Sequence, residues 1–215
     1  MSFTGLRPDA LDFYAELTAD NSKQWWLANR ARYDESVRGP FEELGEALAD
    51  EFGPVKIFRP FRDVRFSADK TPYKTHIGMV TREPVAHYLQ LSDEGVLVGG
   101  GVFDLPKPAL ARFRQLVNDP RSSGDVEAIV EELEEAGFSL MTAGALATAP
   151  RGFPIDHPRI GLLRLTRLAV SRAEPPAEWM WTAGALDVVR ERWRTVSIWN
   201  AWLAENLGAE IVARR

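Results

Sequence analysis

Apolar positions in the first 52 residues recur at helical spacing and are interrupted twice by capping or breaking residues. Leu11, Phe13, Tyr14 and Leu17 predict a helix over 8–18, opened by Pro8 and Asp9. Asp20, Asn21 and Ser22 offer N-cap side chains to a second helix running to about Arg38, with Trp26, Tyr33 and Val37 on one stripe. Gly39-Pro40 is expected to break it, and a third helix over 40–52 places Phe41, Leu44 and Leu48 on one face. The pattern then switches to short apolar runs. Residues 55–66, 75–81, 85–91 and 96–103 predict four strands, and turn-like stretches at 81–84 and 92–95 make the last three an antiparallel meander. Pro60 cannot donate to a ladder, so the first run belongs at an edge or holds a bulge.

Helical periodicity returns after Pro106, through Leu110, Phe113, Leu116 and Val117, and again over 124–136, where a Glu-rich outer face is solvated. Residues 138–149 fit neither period, and 150–160 form a Pro/Gly loop. A strand over 162–171, entered through a helical turn in one variant, leads by a Pro-rich connector at 174–178 to a helix over 183–207. No repeat, low-complexity tract or linker interrupts the chain. The expected organisation is one α+β domain over 1–215: helical at 8–52, strand-rich at 55–103, helices at 106–136, loop and strand at 150–171, C-terminal helix at 183–207. Its sheet is mainly antiparallel, of about five or more strands, flanked by N-terminal, central and C-terminal helices.

Composition narrows the function. A 215-residue chain with 45% hydrophobic and 27% charged residues can bury a core without staples. With no cysteine there is no disulfide, thiolate metal site or cysteine nucleophile, which suits the cytoplasmic location we expect. The start lacks the pattern of a signal peptide, and no apolar run is long enough for a membrane helix, so no membrane association is expected. His76, His87 and His157 have no ligand-pair spacing, so neither metal nor cofactor is expected. A pI of 5.4 argues against broad nucleic-acid binding. Oligomeric state is not legible.

Against a net charge of -5, residues 59–76 (R-P-F-R-D-V-R-F-S-A-D-K-T-P-Y-K-T-H) carry the cations Arg59, Arg62, Arg65, Lys70 and Lys74 beside only Asp63 and Asp69. In a strand over 57–66, alternation would put Arg59, Phe61, Asp63 and Arg65 on one face and Phe58, Arg62, Val64 and Phe66 on the other. Asp63 would then orient Arg59 and Arg65, whose forks match phosphate or carboxylate oxygens. Phe61, Phe66 and Tyr73 would wall the site and lower its dielectric. Asp69, Thr71 and Pro72 favour an ordered loop. The competing reading is an ion-pair network that staples this loop. Buried ion pairs stabilise poorly compared with apolar packing, which tilts the balance towards a ligand. Ser67-Ala68-Asp69-Lys70 fits the S-x-x-K pairing, but Thr71-Pro72 opposes the helix that pairing needs. Gly99-Gly100-Gly101 lacks the surroundings of a phosphate loop and points to close backbone approach.

The loop P-R-G-F-P-I-D-H-P-R at 150–159 presents Arg151, Asp156, His157 and Arg159. His157 beside Asp156 is the one local hint of acid/base chemistry, weighed against a histidine that only caps backbone. The candidate ligand-binding residues are therefore Arg62, Arg65, Lys70, Tyr73, Lys74 and Arg151, and the candidate acid/base groups are Asp63, Asp69 and His157. No nucleophile–base–orienter series is present, so turnover is left open. The expected function is binding, or acting on, a small phosphate- or carboxylate-bearing ligand. The alternatives are a module docking an acidic protein or single-stranded nucleic acid, and a purely structural ion-pair network.

N-S-K-Q-W-W-L-A-N-R-A-R-Y-D, R-D-V-R-F-S-A-D-K-T-P-Y-K-T-H, G-G-G-V-F and P-R-G-F-P-I-D-H-P together resemble the family catalogued as domain of unknown function 2461. These are conserved hypothetical proteins found mainly in bacteria and also in fungi. The resemblance runs over residues 6 to 205, with Trp26 standing where many members have Phe. It implies a single α+β unit and carries no activity, substrate or cofactor.

Overall fold

Helical spacing and caps produce helices where the apolar stripes predict them. In the computed structural model, which describes residues 3–63, 65, 69–81 and 85–212, the order is α1 (Asp9–Ala19), α2 (Lys23–Arg32), α3 (Gly39–Phe52), β1 (Val55–Ile57), β2 (His76–Thr81), β3 (Ala86–Ser92), β4 (Gly95–Val102), α4 (Lys107–Asn118), α5 (Ser123–Glu135), β5 (Ser139–Leu140), α6 (Ile160–Leu163), β6 (Leu168–Glu174) and α7 (Ala185–Val212). The fold is α+β, with an antiparallel sheet ordered β1-β2-β3-β4-β6-β5 among the described residues. The chain forms two compact units, residues 1–82, 88–98 and 173–192 in the first, and 83–87, 99–172 and 193–215 in the second.

In the first unit, Ser22 caps α2 by accepting the Trp25 N–H at 3.1 Å. The expected break at Gly39-Pro40 does not occur. A π-helical turn, Tyr33–Arg38, carries α2 into α3, and the Gly39 N–H reaches the Asp34 carbonyl. Pro40 then sits in the first turn of α3, where its missing N–H costs little. Arg32 ties α2 to α1 through Asp9 at 2.7 Å and Glu16 at 2.9 Å. Phe13, Leu17, Val37, Phe41, Leu44 and Leu48 are fully buried.

The long first strand predicted over 55–66 is also corrected. β1 ends at Ile57, paired antiparallel to Met79 of β2. Continuing that register would set Phe61 opposite Thr75, yet Phe61 bridges Tyr73. The slip of two residues spans Pro60, which has no N–H for the ladder. The strict facing of Arg59 with Phe61, Asp63 and Arg65 therefore does not follow from one continuous strand. Val64, Phe66, Ser67 and the expected turn residues Arg82, Glu83 and Pro84 lie outside the described residues. At the other predicted turn, Gly95 adopts φ 107° after Asp93-Glu94, and the Glu94 N–H donates to Ser92 Oγ at 3.2 Å.

The second unit packs α4, α5 and the second half of α7 around Phe113, Val117, Val126, Leu133, Phe138 and Trp199. The strand expected at 162–171 begins instead at Leu168. Residues before it form α6, whose end is held by Arg114, donating to the carbonyls of Leu163 at 2.9 Å and Leu165 at 3.5 Å. Charge-assisted bonds to carbonyls at a helix C-terminus satisfy groups that a strand would have paired. The ambiguous 138–149 stretch contributes β5, where Ser139 pairs with Ser171 and Leu140 with Val170.

Candidate functional site

The basic run is organised around two strand-like contacts. The Arg62 N–H donates to Pro72 O at 2.9 Å, and the Lys74 N–H to Pro60 O at 2.8 Å, so residues 60–62 lie against residues 72–74. Asn21 finishes the edge: its Nδ2 donates to Tyr73 O at 3.1 Å, and its Oδ1 accepts the Tyr73 N–H at 3.0 Å. One side-chain amide thus imitates a neighbouring strand. The Tyr73 ring stacks on Trp26 at 4.4 Å and 11° and is only 5% exposed. Tyr73 anchors the loop to the helical layer. We expect Asn21→Ala, which leaves a donor and an acceptor of Tyr73 unpaired, to cost about 1–3 kcal/mol in urea denaturation, with Asn21→Asp intermediate because it keeps only the acceptor.

Within the loop the carboxylates are already engaged. Arg62 Nη1 donates to Asp69 Oδ2 and, at 2.6 Å, to Thr71 Oγ1. Asp69 Oδ1 accepts the Thr71 N–H at 2.9 Å and the Thr71 hydroxyl at 2.8 Å. The Thr71 bonds, foremost its backbone N–H, with Arg62 hold the exposed Asp69 carboxyl down to about 2. Asp63 grips Arg65 through both oxygens, at 2.9 and 2.6 Å. That grip holds the Asp63 carboxyl below its usual range, and Arg59 adds a smaller charge effect. The expected orientation of Arg65 by Asp63 is present, while no ion pair joins Asp63 to Arg59. Ionised, hydrogen-bonded carboxylates of this kind are poor proton acceptors near neutral pH.

A different set of cations makes no ion pair with a carboxylate among the described residues. In the β2–β3 register, His76 pairs with Ser92, Gly78 with Gln90 and Val80 with Tyr88, so these share one face while Ile77, Met79, Leu89 and Leu91 are buried on the other. Phe58 joins this face: its N–H donates to Gly78 O at 2.9 Å, and its ring would lie 3.3 Å from a Cβ at Gly78. Lys74 Nζ sits 5.1 Å from the Phe58 ring centroid. Burial, then the charge of Arg59, pushes the Lys74 ammonium below its usual range. Burial, then Lys74 and Arg62, does the same to the His76 imidazole. The Tyr88 hydroxyl, donating to Gln90 Oε1 at 2.8 Å, completes the face beside Gly78. Neither Arg59 nor Lys74 makes an ion pair among the described residues. Neither Asn21 nor His76 was among the expected site residues. The even spacing of Lys74, His76 and Gly78 was the available signal for His76.

Residues 9–202 match the family described as conserved hypothetical protein DUF2461. The chain belongs to this family. No curated protein and no solved structure matches it. The DUF2461 match takes in both basic stretches, but they fall in different units: Arg62, Arg65, Lys70, Tyr73 and Lys74 in the first, Arg151 and His157 in the second. Lys70 and Arg151 are exposed. His157 Nδ1 accepts the Arg159 N–H at 3.0 Å and serves the entry to α6, so one ring nitrogen is committed to the backbone. A serine–histidine contact in this DUF2461 chain, His87 Nε2 to Ser197 Oγ at 2.9 Å, has the wrong polarity for a nucleophile. Ser197 already donates to the Trp193 carbonyl at 2.9 Å, so the imidazole is the donor. Among the described residues no cluster of three metal-ligating side chains occurs, and no helix is long and apolar enough to cross a membrane.

Proposed function

We propose that this protein binds a small phosphate- or carboxylate-bearing ligand on the face that carries Phe58, Lys74, His76, Tyr88 and Gln90, with Arg59 and Lys74 as its cationic contacts. The observation supporting this is the arrangement around Lys74, a half-buried ammonium above an aromatic ring, with cations near it and no carboxylate partner among the described residues. Desolvated like charges raise the free energy of the empty site, and an anion relieves both the repulsion and the lost hydration. Tyr88 and Gln90 supply neutral hydrogen-bonding groups for the rest of the molecule. Arg62 and Arg65 support the competing structural reading for their own part of the run, because their carboxylate partners are in place. They staple the loop.

The test is thermal stabilisation by inorganic phosphate and by a panel of phosphorylated and carboxylated metabolites. A bound ligand at 100 times its Kd adds about 2.7 kcal/mol. Lys74→Gln is expected to weaken the best ligand at least tenfold, while Arg65→Ala keeps it. Since burial, then the neighbouring cations, hold His76 below its usual range, an arriving anion favours its protonation, and affinity should rise from pH 8 to pH 6. A panel without a single hit, or a Lys74→Gln protein that binds like the wild type, removes this reading and leaves the ion-pair network.

A further inference from the structure

A separate open cavity of about 440 Å³ lies in the second unit, lined by Phe103, Asp104, Leu105, Thr166 and Arg167. Two opposite charges border it without closing on each other. Arg167 is fixed elsewhere: Nη1 donates to Ala143 O at 2.8 Å, and the guanidinium lies 4.2 Å from the Phe103 ring centroid. The neighbouring Thr166 hydroxyl donates to Gly144 O at 2.8 Å, so both residues clamp the same turn. That turn comes so close that a Cβ at Gly144 would stand 3.3 Å from Arg167 Nη1. The guanidinium keeps Nε and Nη2 as donors, and Asp104 makes neither hydrogen bond nor ion pair among the described residues.

Such a pair selects its ligand by sign. A simple anion attracted by Arg167 is opposed by Asp104, and a simple cation meets the reverse. A molecule carrying both charges a short distance apart satisfies each end with a charge-assisted hydrogen bond. Phe103, 52% exposed, and Leu105 provide apolar surface beside them. We propose that this cavity binds a free α-amino acid, its carboxylate on Arg167 and its ammonium on Asp104, with the side chain against Phe103 and Leu105. Arg167 is immobilised before the ligand arrives, so little ordering cost falls on binding.

The experiment is a titration of the full chain, followed by amide chemical shifts, with each of the L-amino acids to about 10 mM, which detects Kd values in the millimolar range. At least one is expected to shift Phe103, Asp104, Thr166 and Arg167. Its N-acetyl derivative, lacking the ammonium, and its primary amide, lacking the carboxylate, should each bind at least tenfold more weakly. Asp104→Asn should impose a similar loss while leaving the remaining spectrum unchanged, because among the described residues Asp104 holds nothing else in place. The proposal is overturned when no amino acid shifts these residues, when the N-acetyl derivative binds as tightly as the free acid, or when Asp104→Asn binds like the wild type. None of these results bears on the Lys74 site.

Discussion

Gly101→Ala is expected to destabilise the protein by about 3 kcal/mol or more, read as a fall in the urea midpoint. Gly101 has φ 112°, a region that side chains rarely enter, and a Cβ there would run into the Leu168 carbonyl of β6. Relief by moving that carbonyl is blocked, because it accepts the Trp199 indole N–H at 3.1 Å. Trp199 is fully buried in the same core. The substitution must therefore distort β4, break the indole bond or expose Trp199, and each route costs free energy on top of the backbone strain. Gly208→Ala in α7 is the matched control, since a Cβ there meets nothing within 4 Å and alanine should stabilise that helix by roughly 0.5–1 kcal/mol. A Gly101→Ala protein as stable as the wild type would mean that β4 and β6 can separate without loss.

The same triplet illustrates what sequence patterns convey well. Gly99-Gly100-Gly101 reads as close approach rather than a phosphate loop, and the glycines do lie against the Val170 carbonyl, Ala86 and Val196, and the Leu168 carbonyl. Apolar periodicity likewise located α1, α4 and α5. Where local rules failed, a hydrogen-bond partner other than the expected one had taken up the backbone group. The π-helical turn satisfied Gly39 and let Pro40 stay in a continuous helical path. Arg114 took up the carbonyls of 163 and 165, so a stretch with strand-like composition became a helix and a turn.

The basic run was legible as a cluster but not as a division of labour. Charge counting treats Arg62, Arg65 and Lys74 alike, whereas pairing sorts them: Asp69 and Thr71 take Arg62, Asp63 takes Arg65, and Lys74 is left over Phe58. Tyr73 looked like a wall of the site and is a packed anchor, because Asn21, more than 50 residues away in sequence (|i−j|=52), supplies its backbone partners. Such long-range hydrogen bonding leaves no periodic trace. The pairing also bears on function. Arg62 and Arg65, already paired with Asp69 and Asp63, offer a weaker, more exposed anion contact than a half-buried ammonium among cations, so the candidate contact moves from the loop to the sheet face.

Stability should fall by roughly 3 kcal/mol as the pH drops from about 6.5 to about 4, and most of that loss should trace to His87. Burial lowers its imidazole to about 4, and the hydrogen bond with the Trp193 backbone only partly opposes this. The unfolded chain titrates near the ordinary value of about 6.5. Between those two values the unfolded state binds the extra proton and the folded state does not, so protons draw the equilibrium towards unfolding. Above the upper value the contribution is complete, and below the lower one nothing more is lost from this group. His76, lowered for similar reasons, pulls in the same direction. The Asp63 and Asp69 pairs act in a lower window, because their depressed carboxyls take up protons only in stronger acid. Urea midpoints measured from pH 8 to pH 4.5 should therefore slope downwards in the wild type. In His87→Gln, which keeps a donor for Ser197 but does not titrate, the slope should be much flatter. An equal slope in the variant would assign the acid sensitivity to groups other than this imidazole.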